Sequence, residues 1–119
     1  MPRAQRLVEW AARHRDIARA VEAASREVAR QRPPAGLVYV EDRMIVPFAA
    51  PRPLVFALRT PAAPTPEATL RFDFDPDTGI VTATVSGSVK LRRKTRLDRF
   101  TGDWAAKIAR DAMIAALGG

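Results

Sequence analysis

The feature that most constrains this chain is the pattern of its first thirty residues. Leu7, Trp10, His14, Ile17, Val21, Ala24 and Val28 recur at alternating spacings of three and four, with mostly Arg, Glu and Asp between them. Such spacing places all seven on one stripe of an amphipathic helix. Pro2 suits a first turn, and no Pro or Gly interrupts residues 3–32. Glu9 with Arg13, and Glu22 with Arg26, form favourably oriented pairs four apart. The helix is predicted from Arg3 to Gln31, with Pro33-Pro34 ending it and Gly36 freeing the turn. A helix of that length measures on the order of 40 Å. A compact domain of this size is roughly 35 Å across. The helix is therefore expected to overhang, to bend, or to meet a second copy in a homodimer.

Beyond the helix the apolar period falls from 3.6 to two. Leu37–Glu41 and Met44–Phe48 read as a hairpin, with Pro47 demoting the second run to an edge or bulge, and Leu54–Arg59 reads as a further strand. Three prolines stiffen the spacer at residues 60–67. The clearest β signal follows, where Leu70, Phe72 and Phe74 alternate with Arg71, Asp73 and Asp75. The turn Asp-Pro-Asp-Thr-Gly then leads into a strand over Ile80–Ser86, and a last strand runs from Val89 to about Lys94. Thr101 or Asp103 is placed to cap a final helix over Trp104–Leu117, whose Trp104, Ile108, Ala112 and Ala115 share a face. The expected fold is α+β: one domain over residues 1–119, with a long N-terminal helix packed on an antiparallel β-meander of five or six strands, and a C-terminal helix. Leu70, Phe72 and Phe74 are expected to face the helix stripe.

Residue types narrow the chemistry. With no cysteine and one histidine, disulfides, thiol catalysis and zinc-thiolate or histidine-rich metal sites are excluded within one chain. Asp73, Asp75, Asp77 and Gly79 superficially resemble a calcium loop, but the sixth position is Thr78 where Gly is wanted, and the twelfth is Thr84 where a bidentate Glu is wanted. These aspartates are read as serving the turn. Asp73 and Asp75 share a strand face opposite the phenylalanines, which suits a solvated face better than an acid/base pair. None of Ser25, Ser86 and Ser88 lies in a nucleophile-elbow motif that would draw on His14, which is read as a partly buried, hydrogen-bonded histidine. Phosphate-loop and dinucleotide fingerprints are lacking, and the terminal Gly-Gly follows a helix rather than a strand. The sequence thus predicts no enzyme, no cofactor and no metal centre.

Charge is the remaining signal. The net charge is +7, with +4 over residues 1–32, −2 over 33–88 and +5 over 89–119. A positive surface favours nucleic acid, acidic proteins or anionic headgroups. Lys90-Leu-Arg-Arg-Lys-Thr-Arg-Leu-Asp-Arg99 is the densest segment, and Lys90, Arg92, Arg93, Lys94 and Arg96 are the candidate polyanion-binding residues. As a strand it sends Lys90, Arg92, Lys94 and Arg96 to one side at roughly 6.7 Å intervals, close to the phosphate spacing along a nucleic-acid strand. Aromatic residues do not interleave, so base stacking is not indicated. Charged edge strands also defend a sheet against edge-to-edge pairing. Two functions are carried forward: a basic module contacting nucleic acid without reading sequence, and a homo-oligomeric interaction or assembly component using the helix seam or sheet face. A small-ligand carrier is a third, weaker idea. With no apolar signal core and no transmembrane run, a cytoplasmic location is expected.

Overall fold

The seam residues do fold as one helix. In a computed structural model describing residues 2–31, 36–42, 51–60 and 66–118, α1 spans Arg3–Gln31 and buries Trp10, Ile17, Val21, Ala24 and Val28 on the predicted stripe. Leu7 and His14 are half-buried. Ser25 is a polar intruder on this face, and its hydroxyl is satisfied by donating to the Glu22 carbonyl at 2.8 Å. Glu9 and Arg13 pair as expected, at 2.7 Å. Glu22 instead takes the Glu41 backbone N–H at 3.4 Å.

Five strands follow: β1 (Val38–Asp42), β2 (Leu54–Arg59), β3 (Ala68–Asp75), β4 (Ile80–Gly87) and β5 (Leu91–Arg96). They form one antiparallel sheet in sequential order. A 3₁₀ turn over Leu97–Arg99 leads to α2 (Gly102–Ala116). The architecture is therefore α+β, a helix, an antiparallel sheet and a helix. β1 pairs with β2, in the register Tyr39↔Leu58. The expected strand at Met44–Phe48, the Pro33-Pro34 terminator and most of the proline-rich spacer lie outside the described residues.

Alternation along β3 explains which face is inward. Ala68, Leu70, Phe72 and Phe74 are buried towards the helices while Arg71 and Asp75 are exposed on the other face. Trp10 joins the layers, stacking on Phe74 and Phe100 at centroid distances of 5.2 and 5.3 Å. Phe72 meets Phe100 at 5.2 Å, Phe56 at 6.1 Å and Trp104 at 6.3 Å. Aromatic pairs of this kind contribute about 0.5–1.5 kcal/mol each beyond area burial. β2 differs from its neighbours because Val55 and Ala57, on the face shared with Arg71 and Thr69, are buried as well. Burial on both faces accounts for its unbroken apolar run.

The ends of the hairpins are locally determined. Asp75 accepts the Asp77 N–H at 2.9 Å, its carbonyl takes the Gly79 N–H at 2.8 Å, and Gly79 adopts φ +75°. The Asp77 N–H, aided by the Thr78 hydroxyl and N–H, holds the Asp75 carboxyl below its usual range. Gly87, at φ +114°, lies where the Glu67 carbonyl crosses: an added Cβ would fall 2.5 Å from that oxygen. Only Gly tolerates both the angle and the approach. Thr101 caps α2, its hydroxyl accepting the Trp104 N–H at 3.3 Å. The buried stripe of α2 is Ala105, Ile108, Ala109, Ala112 and Met113, whereas Ala115 is exposed. The predicted face was set slightly off centre, because the small alanines and Met113 form the contact and leave Trp104 half-buried at its border.

α1 does not overhang. At its start Arg3 pairs with Asp77 and Arg6 donates to the Pro76 and Asp77 carbonyls, both at 2.9 Å. Near its end Val28 is buried and Glu27 lies 3.6 Å from Arg110. The molecule is 47 Å long and only 27 by 22 Å across, so it is elongated enough to match its helix. The length mismatch that motivated self-association is therefore absent.

Candidate polyanion interface

β5 is the last strand of the sheet and pairs on one side with β4. Its register places Arg92 opposite Thr84, Lys94 opposite Thr82 and Arg96 opposite Ile80. These β4 partners alternate with Val81, Ala83 and Val85, which are buried in the core. Arg92, Lys94 and Arg96 therefore stand together on the outer face, away from the helices, and all three are exposed. Lys90 precedes the strand and shares a shallow groove with Thr84, Ser86 and Arg92. Arg93 departs from the group: it sits opposite Ala83, on the helix-side register, and its Nη1 donates to the Arg92 carbonyl at 2.8 Å. Period-two alternation dictates that separation.

Pairing leaves most of these cations available. Arg96 lies 3.4 Å from Asp98, with both side chains well exposed, a geometry worth at most about 1 kcal/mol. Lys90, Arg92 and Lys94 have no ion-pair partner among the described residues. Further across the face, Arg71 is held by Asp73 at 2.9 Å. Half-buried Thr82 and Thr84 flank the basic row, adding hydroxyl groups beside the cations.

The α1 arginines do not simply join this field. Arg3 and Arg6 bind the β3–β4 turn, and Arg13 spans Glu9 and the Phe100 carbonyl, the latter at 2.8 Å. Arg15 and Arg19 emerge instead beside Arg52 and β1, at the opposite end of the sheet order from β5. Sequence reasoning missed that second cluster because Arg52 is an isolated cation in a mildly acidic segment. His14 lies there too, edge-on to Trp10 at 4.8 Å, and its buried Nε2 lacks the expected hydrogen bond among the described residues. Burial first, and then the Arg52 charge, lower its pKa from the ordinary histidine value.

No protein-family model matches the chain, and neither a curated protein nor a solved structure is significantly similar to it. Among the described residues, no helix is long and apolar enough to cross a membrane.

Proposed function

We propose that this protein is a small non-enzymatic binding module that holds a nucleic-acid backbone along β5 without reading its sequence. The observation that supports this reading is the row Arg92, Lys94 and Arg96 on one face of a sheet edge, with Lys90 beside it. Cations at every second strand position recur at roughly 6.7 Å, a repeat that a sugar-phosphate chain running along the strand can follow. Thr82 and Thr84 stand beside Lys94 and Arg92, where hydroxyls reinforce phosphate contacts. Among the described residues, β4 and β5 carry no aromatic side chain on which bases would stack, so the contacts they offer position a backbone and discriminate little between sequences.

Fluorescence anisotropy with two unrelated mixed-sequence duplexes tests the proposal. At about 50 mM salt, where such contacts are strongest, both duplexes should bind with similar affinity. Arg92→Ser/Lys94→Ser should bind both more weakly while keeping the wild-type circular dichroism spectrum and melting behaviour. Absence of binding by the wild-type protein would refute the proposal. Unchanged binding by a folded double variant would do so as well. Aggregation of the variant would assign the charges to edge protection instead.

A further inference from the structure

We propose that the open groove between α1 and the start of the sheet binds small organic phosphates. The groove encloses about 510 Å³ and is lined by His14, Arg15, Arg19 and Glu22 of α1, Glu41 of β1, and Arg52 just before β2. That volume lies within the range of small-molecule sites. Arg15 and Arg19 are one helical turn apart, so their guanidinium groups rise from the same face of α1. Arg52 approaches from the sheet side, its carbonyl fixed by the Trp10 Nε1–H at 2.9 Å. None of the three arginines has an ion-pair partner among the described residues. Three arginines without ion-pair partners, lining one groove from two walls, match a phosphate monoester, which presents three acceptor oxygens and a charge approaching −2.

Glu22 and Glu41 set the rest of the ligand. Glu22 Oε1 already accepts the Glu41 N–H at 3.4 Å, leaving the remaining carboxylate oxygens to accept hydroxyl or amino donors. A bare anion gains nothing from that end and is repelled by it. An organic phosphate carrying hydroxyls can use both ends, so it is the ligand class the groove fits. His14 lines the same groove, faced by Trp10, Arg15, Arg19 and Glu22 from α1, Glu41 from β1, and Arg52. Its depressed pKa follows from burial and from Arg52, and a bound dianion opposes the second cause.

His14 is the sole histidine, so its ring resonances report on the groove without ambiguity. The experiment is a proton NMR pH titration of the full chain with glycerol 3-phosphate, inorganic phosphate, acetate or glycerol, at constant ionic strength. Glycerol 3-phosphate should raise the His14 pKa by up to about one unit, the lower end of the range for a close opposite charge. Half-saturation is expected on the order of 1 mM, the affinity of a small solvent-exposed anion site. Inorganic phosphate should bind more weakly, and glycerol should leave the titration unmoved. Arg15→Gln/Arg19→Gln should abolish the ligand-induced shift while leaving the ligand-free titration close to wild type, because Arg52 supplies the charge that acts on the ring. Arg52→Gln should both raise the ligand-free pKa and weaken binding, which provides a second route if the double variant fails to fold. Arg92→Ser/Lys94→Ser should retain the response, separating this groove from the β5 row. An absent shift, or an equal shift in the folded groove variants, overturns the site. Equal responses to acetate and glycerol 3-phosphate overturn the organic-phosphate assignment.

Discussion

Tyr39 offers a clean experiment because it is the only tyrosine in the chain and is 1% exposed. It lies on the inward side of β1 opposite Leu58, and its buried hydroxyl has no hydrogen-bond partner among the described residues. Desolvation penalises the phenolate, pushing its pKa up from 10.0 to about 12. The folded protein therefore retains a proton that the unfolded chain releases. Where the folded state holds more protons, stability falls as pH rises, so the loss begins near the unfolded pKa and continues until the folded pKa is passed. A gap of that size corresponds to roughly 2–3 kcal/mol. Urea unfolding followed by tryptophan fluorescence at a series of alkaline pH values should show this decline. Absorbance at 295 nm should show delayed ionisation of the native protein. Tyr39→Phe removes the unpaired hydroxyl while keeping the ring, so its stability at neutral pH should be unchanged or higher, and the component of the alkaline decline due to Tyr39 should vanish. Native-state titration at the ordinary tyrosine pH, or a clear destabilisation by Tyr39→Phe at pH 7, would refute the reasoning.

Phe72→Ala should lose about 3–5 kcal/mol in chemical denaturation, since its ring is fully buried between Phe56, Phe100 and Trp104; a loss below about 1 kcal/mol would show that the inward face is wrong. Gly87→Ala should cost at least about 1 kcal/mol through strain at positive φ and the clash with the Glu67 carbonyl, and a neutral thermal melt would contradict that geometry. The lowered pKa of His14 means that the unfolded chain takes up a proton first on acidification; stability should fall as pH drops below about 6.5, and His14→Gln should weaken that dependence.

Much of the fold was readable because local period and tertiary burial agree. The α1 stripe and the Leu70, Phe72, Phe74 alternation each bury one face, and the 3.6 and two-residue periods announce it. The pairing of β1 with β2 was not readable, because Tyr39 meets Leu58 through a long-range register that neither strand encodes alone. Nor does an apolar run such as Leu54–Leu58 say that Val55 and Ala57 will be covered on the outer face. For the basic segment, alternation placed Arg92, Lys94 and Arg96 on one side, whereas Arg93, counted among the candidates, falls on the other side of the strand. The groove cluster escaped notice because it joins Arg15 and Arg19 to Arg52 by folding, with no spacing motif to mark it. Conversely, Arg3, Arg6 and Arg13 added to the N-terminal charge in sequence, while the fold employs Arg3 on the Asp77 carboxylate and Arg6 and Arg13 on turn and loop carbonyls.

The central claim, that β5 binds a polyanion through its phosphates, is tested most directly by the salt dependence of affinity. Four contacts, from Lys90, Arg92, Lys94 and Arg96, predict a slope of log affinity against log salt near −3.6 on duplex DNA and about −2.8 on a single strand. Arg92→Ser/Lys94→Ser should reduce the duplex slope to about −1.8. A wild-type slope near zero, or one that the substitutions leave unchanged, would contradict the account.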